Sequence, residues 1–324
     1  MKNFTYYLTS LCFLLLLFFF SCEKEVTLEP TKTEQRLNVL CNFSPNEPFS
    51  IQLSKSQSIF TDDTDSSTSI GEATVEICKG NDLIEKVPQT SNDTDSGAKY
   101  LSMVAVPKTK EFYTLKISVD GLKPVTATSW VPEPVDIEHL SIGAINEYDD
   151  GQIDNVKEYD VRLALQFVDP SSEKNYYQVN FYQELVNNIT LQDTTVLVSP
   201  NTNFTQIDES IAQNFNVLDG GLLFHDLVFD GELKELVFQP LFQYDNSTYE
   251  PKNIIVELRS VSEDYYKYYT SVYRQLRQTN PGGGGTLNGN VPFTDPVILY
   301  SNVENGYGVF AGYSKNVLKS PIEF

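Results

Sequence analysis

Few residues of this 324-residue chain are of a type and spacing that could do chemistry, and Cys22 is the clearest of them. It follows Ser21 and an apolar run from Tyr6 to Phe20, which Lys2 precedes. A charged start, a short apolar core and a small residue before a cysteine read as a secretory signal over residues 1–21 whose cleavage leaves Cys22 to be acylated. The run is shorter than the ~20 apolar residues a membrane-spanning helix needs. Three acyl chains at ~0.8 kcal/mol per buried methylene would hold the mature chain on a lipid bilayer. The partner expected first is therefore the bilayer itself, through acylated Cys22.

Catalytic chemistry is scarce. His139 and His225 are the only imidazoles, and Asp226 beside His225 would point to the opposite face of a strand, so the two are not a base with its orienting acid. There is no Gly-x-Ser-x-Gly elbow and no His-Glu-x-x-His. Cys12 leaves with the signal and Cys22 is acylated, which leaves Cys41 and Cys78. Cys41 shares the apolar parity of Leu37, Val39 and Phe43, whereas Cys78 sits opposite to Val75 and Ile77. Those parities argue against a disulfide, and two cysteines with two histidines offer no zinc-ligand spacing. Two acidic stretches could offer oxygens to calcium, Thr61–Ser69 and Asn92–Asp95, and Glu147–Gly151 with Asp154 is the densest acidic loop, where paired carboxylates could be sought. None has a recognised ligand spacing, and solvated loops are the preferred reading. No metal, no cofactor and no enzymatic activity are expected. A net charge of −21 repels phosphate, so no nucleic acid is expected as a partner.

The elements that must position anything else are mainly strands. Residues 22–35, with Pro30, two threonines and mixed charge, read as a lipid-anchored spacer. Over 36–131 apolar residues alternate with polar ones in short segments: Phe49, Ile51 and Leu53; Val75 and Ile77; Tyr113, Leu115, Ile117 and Val119. Period two at this spacing predicts an N-terminal antiparallel β-sandwich, Ig-like or prealbumin-like. Asp120-Gly121 is a hairpin signal. Val131-Pro132-Glu133-Pro134 cannot continue a ladder and reads as a connector, with Trp130 packing at the seam. Over 135–324 a second β-rich domain is predicted. In it Tyr159 to Phe167 would return antiparallel through Asp169-Pro170-Ser171-Ser172 as Tyr177 to Phe181, with further strands at 193–199, 235–243, 252–259, 297–301 and 307–313. One helix is expected, about 262–278, behind the capping box Ser260-Val261-Ser262-Glu263. The recurrence of Tyr265, Tyr268, Tyr269, Val272, Tyr273 and Leu276 is expected to dock it on a sheet. The fold class is thus all-β in the main, with one docked α-helix. Gly282 to Gly285 lack a following Lys-Ser/Thr and read as a loop, not a phosphate cradle.

The C-terminal residues Val256 to Tyr266, Pro292-Phe293, Pro296 and Asn302-Val303-Glu304-Asn305-Gly306-Tyr307-Gly308-Val309-Phe310-Ala311-Gly312 resemble the lipoprotein family catalogued as domain of unknown function 4249. Cys22-Glu23-Lys24-Glu25, the strand Leu37 to Cys41, Gly71 to Val75 and the Thr126 to Pro132 exit stand in that family's order. The resemblance implies a lipidated β protein of the outer membrane, often encoded near TonB-dependent transporters, and no established catalytic residues. Glu23, Lys24 and Glu25 look like a signal for export to the cell surface, the periplasmic face being the alternative. Asn302, Asn305, Gly306 and Gly308 form the family-motif turn, and Asn305-Gly306 is what a tight turn with positive φ requires. The expected function is that of a non-enzymatic accessory, or ligand-binding partner, of a TonB-dependent transporter in nutrient uptake. A surface hydrolase acting on glycans or peptides and a structural lipoprotein of the envelope are the alternatives.

Overall fold

The computed structural model describes residues 34–57, 70–93, 97–149, 153–171, 173–198, 216–218, 221–227, 229–279 and 297–322. The signal peptide, Cys22 to Glu25, the 61–69 acidic loop, Asp95, Asp150-Gly151, the tetraglycine and Pro292, Phe293 and Pro296 fall outside these. The described residues are built mainly from strands arranged in three sheets, with one helix among them. The all-β class is as expected.

The N-terminal strands are β1 (Leu37–Phe43), β2 (Ser50–Lys55), β3 (Ala73–Lys79), β4 (Asp82–Lys86), β5 (Gln89–Asp93), β6 (Gly97–Leu101), β7 (Phe112–Val119) and β8 (Val125–Trp130). One sheet runs β4-β3-β7-β8, and the other carries β1-β2-β6-β5. Their alternating apolar residues meet face to face, with Leu37, Val39, Cys41, Phe43, Ile51, Val75, Ile77, Leu115 and Ile117 in one core. This is sandwich packing driven by period-two burial. Gly121 adopts φ +79° at the β7–β8 turn, as the Asp-Gly signal requires. Cys41 and Cys78 are both buried free thiols, and Cys78 stands outside that core at a register shift between Ile77 and Cys78.

The second set comprises β9 (Ile137–Asp149), β10 (Val156–Val168), β11 (Tyr176–Asn187), β12 (Asp193–Val198), β13 (Asn216–Leu218), β14 (Gly221–His225), β15 (Leu233–Phe238), β16 (Leu241–Asp245), β17 (Tyr249–Val261) and β18 (Tyr307–Pro321), with helix α1 (Glu263–Thr279) between the last two. The expected hairpin of Tyr159–Phe167 with Tyr177–Phe181 does not form. β10 pairs with β9, β15 and β16, while β11 pairs with β12, β14 and β17 in the facing sheet. The loop after β10 crosses the sandwich, and Asp169, buried at 1% exposure, accepts the Tyr177 hydroxyl there. The predicted 235–243 strand is split into β15 and β16 around Gln239-Pro240, and residues 297–301 form no strand.

β18 belongs to both halves. Its first part pairs parallel with β1 (Asn38 with Tyr307 through Phe43 with Gly312), and its second part pairs antiparallel with β17 (Val261 with Tyr313 through Asn253 with Pro321). The two sandwiches therefore share one ten-stranded sheet. Phe310 enters the first core and Leu318 packs on the second. Val309 and Ala311, on the other face, lie with Tyr176, Leu223, Val261 and Tyr265 beneath α1.

Candidate functional site

The junction of the two sandwiches is built by close backbone approach. A Cβ on Gly312 would lie 2.1 Å from the Trp130 carbonyl oxygen, so only glycine lets β18 pass the end of β8 there. The Gly312 carbonyl accepts the Ser262 N–H (3.0 Å), and Ser129 Oγ donates to Asp264 Oδ2 (3.1 Å). Ser262 begins α1: its Oγ accepts the Tyr265 N–H (3.4 Å) and its carbonyl accepts that of Tyr266 (3.1 Å). The capping box read from Ser260 to Glu263 does not form, because Ser260 is still in β17, where its Oγ accepts the Val135 N–H (3.1 Å). The cap is Ser262, with Glu263 and Asp264 in the first turn, where acids suit the helix dipole.

A cleft of about 210 Å³ opens at this junction, lined by Trp130, Pro132, Glu173, Lys174, Asn175, Tyr176, Ser260, Val261 and Glu263. Its aromatic wall continues outward. Phe112 stacks on Trp130 (centroids 6.0 Å apart), Tyr176 packs on Tyr266 (4.7 Å), and His225 meets the Tyr266 ring at 5.7 Å. Tyr176 donates from its hydroxyl to Glu263 Oε1 (3.1 Å), and Lys267 reaches the same oxygen (3.1 Å). Burial, then this carboxylate, raises the Tyr176 pKa; the Lys267 ammonium, against burial, holds the Glu263 carboxyl below its ordinary value. Lys174 Nζ lies 5.2 Å from the Tyr176 ring centre. Burial and Lys174 lower the His225 pKa, with Asp226 opposing.

Beside the cleft three carboxylates, Asp169, Asp226 and Asp230, have oxygens within 4.8 Å of one another. Two of them serve the loops around them. Asp169 Oδ2 accepts the Gly231 N–H (2.9 Å) and Asp226 Oδ2 accepts the Asn175 N–H (2.6 Å). Burial raises the Asp169 pKa, partly offset by the Tyr177 hydroxyl and the Gly231 N–H that donate to it. Asp226 and His225 thus turn to different neighbours: His225 Nδ1 accepts the Leu227 N–H (3.2 Å). His139 is exposed on β9, and Glu147 of the acidic 147–151 stretch is engaged by Lys157 (2.8 Å) and the Tyr244 hydroxyl (2.5 Å).

The four residues of the C-terminal motif lie at the start of β18 and tie it down. Asn302 grips both backbone groups of Phe310, donating from Nδ2 to its carbonyl (2.7 Å) and accepting its N–H at Oδ1 (3.0 Å). Asn305 has φ +61°, but Gly306 does not share a positive φ, and Gly308 does (+102°). Gly306 is required for space instead: a Cβ there would stand 2.8 Å from the Leu37 carbonyl oxygen. At Gly308 a Cβ would fall 1.9 Å from the Val39 carbonyl oxygen, so parallel pairing with β1 needs glycine for both reasons. The turn joins no pair of strands: the segment before it makes a single bridge, Glu304 with Thr126.

Sequence reasoning located Trp130 at the seam but missed Glu173, Lys174 and Tyr176 as its companions. The one signal was Tyr176 itself, an aromatic on the outward parity of a strand whose core parity Tyr177 and Val179 already fill.

Compared with known proteins, no curated protein matches the chain. The model of the family described as domain of unknown function DUF4249 matches residues 23–318, from the residue after Cys22 to three residues short of the end of β18. The protein is a member of the DUF4249 family.

Proposed function

We propose that this is a lipid-anchored protein of the outer membrane, acylated at Cys22 and exposed at the cell surface, that acts as a non-enzymatic, ligand-binding accessory of a TonB-dependent transporter in nutrient uptake. The observation that carries the reading is the cleft at the sandwich junction. It is walled by Trp130, Pro132 and Val261 and rimmed by Glu173, Lys174 and Glu263. Apolar walls with a few convergent polar groups are what small-molecule sites are made of. The lipobox-like Ser21-Cys22 and the spacer that follows supply the tether. The −21 charge would keep such a body soluble and unattracted to anionic lipid.

The test is to tag the C-terminus, solubilise the outer membrane gently and identify by mass spectrometry what co-purifies. A stoichiometric TonB-dependent transporter is the expected result. Recovery of the lipoprotein alone overturns the partnership. Replacing Cys22 with alanine should release the chain from the membrane fraction.

A further inference from the structure

We propose that the junction cleft binds one neutral pyranose ring, with Trp130 as its stacking wall and Glu173 and Lys174 as its hydroxyl-reading groups. This names the ligand of the site on which the accessory reading rests.

Size is the first argument. A cleft of about 210 Å³ lies below the ~300–1,000 Å³ of pockets that enclose drug-sized ligands, so it admits a single small ring or side chain. Charge is the second. The chain carries −21 overall and the lining adds Glu173 and Glu263 against Lys174, which disfavours anions. Aromatic rings beside carboxylates would ordinarily invite a cation. At Tyr176 and Glu263 those positions are already filled from within. Lys174 lies over the Tyr176 ring at 5.2 Å, and Lys267 holds Glu263 at 3.1 Å. What is left over is an apolar wall of Trp130, Pro132 and Val261, and the Glu173 carboxylate, which meets no side-chain partner among the described residues.

A pyranose has that pair of needs. One face of its ring presents C–H bonds that pack on an aromatic surface, and its edge presents hydroxyls that both donate and accept. A free carboxylate can accept two neighbouring hydroxyls through charge-assisted bonds, and an ammonium can donate to a third. Trp130 is held in place for this role, stacked on Phe112 at 6.0 Å with its carbonyl pressed against Gly312.

Trp130 is the only tryptophan of the chain, so its emission reports the site directly. The full lipidated protein is purified in a polyoxyethylene detergent, which has no sugar headgroup, and titrated with methyl glycosides of hexoses, pentoses and N-acetylhexosamines. At least one should give a saturable change in the millimolar range. Glu173→Ala and Lys174→Ala, both at exposed positions, should each weaken that binding by about tenfold, the loss of roughly one charge-assisted hydrogen bond, with the melting curve unchanged. The proposal is overturned if no glycoside gives a saturable response, or if both variants respond like the native chain. A response confined to choline or to N-acetyl amino acid amides overturns it too. Because no transporter is present, failure here leaves the partnership standing, and glycoside binding without a co-purifying transporter sinks only the partnership.

Discussion

Single side chains hold this protein's loops by gripping backbone, and Glu85 does so most fully. Its carboxylate accepts the N–H groups of Met103 (2.8 Å), Val104 (2.9 Å) and Ala105 (2.6 Å), fixing a loop whose Met103 and Val104 side chains are exposed. Burial alone would raise the Glu85 pKa; the three N–H donors outweigh it and leave the carboxyl below its ordinary value. A lowered folded pKa means the stabilisation is complete above the unfolded value of about 4.3 and is lost as pH falls through the folded one. Glu85→Ala is therefore expected to cost about 1–3 kcal/mol at neutral pH. The gap from the native chain should close below about pH 4. Urea denaturation of both proteins at a series of pH values checks this, and a gap that widens in acid would refute it. Asn302 works in the same way on Phe310 with a neutral amide.

At the scale of the element, α1 shows how a polar sheet face is made to carry a helix. Tyr265, 3% exposed, donates to Gln178 Oε1 (2.6 Å) and receives Arg259 Nη1 (3.4 Å). Arg259 in turn bonds Glu257 Oε1 through Nε (2.7 Å) and lies over the Tyr313 ring at 4.6 Å. Asn180 and the Tyr182 hydroxyl donate to the same Glu257 oxygen. The tyrosine stripe is thus packing with a polar end, apolar ring against Val261, Val309 and Ala311, hydroxyl into the network. Tyr265→Phe keeps the ring and strands Gln178 Oε1. It should lower stability by about 1–3 kcal/mol with the far-ultraviolet spectrum unchanged. A stability within error of the native chain would show that water takes over the bond.

At the scale of the molecule, β18 ties the halves into one body. The N-terminal sandwich needs it as the neighbour of β1 and as the source of Phe310, whose ring lies 4.5 Å from Phe43 and 6.1 Å from Phe49. Residues 23–134 expressed alone would expose the β1 edge and leave a cavity of phenylalanine size, a loss of about 3–5 kcal/mol against a marginal total. That fragment is expected to show no cooperative thermal transition, whereas the full chain should melt in a single one. A fragment melting cooperatively near the native temperature would show that the first sandwich stands alone.

Period-two alternation read along the chain determined which residues form the cores, because a strand buried on one face must repeat every second residue. It held for Leu37 to Phe43, for Tyr113 to Val119 and for Tyr159 to Phe167, and the 3.6-residue tyrosine stripe likewise foretold α1. Pairing was another matter, since alternation says which face is apolar and nothing about which strand lies alongside. So β10 and β11, adjacent in sequence and alike in pattern, proved to lie in facing sheets. The cleft was less legible still. Trp130, Glu173 and Glu263 are brought together only by the β8 exit, the loop crossing from β10 to β11 and the start of α1, three segments with no local signal in common. Tertiary structure alone decided that site, because only the shared strand β18, passing where Gly312 lets the backbones close, sets the two sandwiches edge to edge around it.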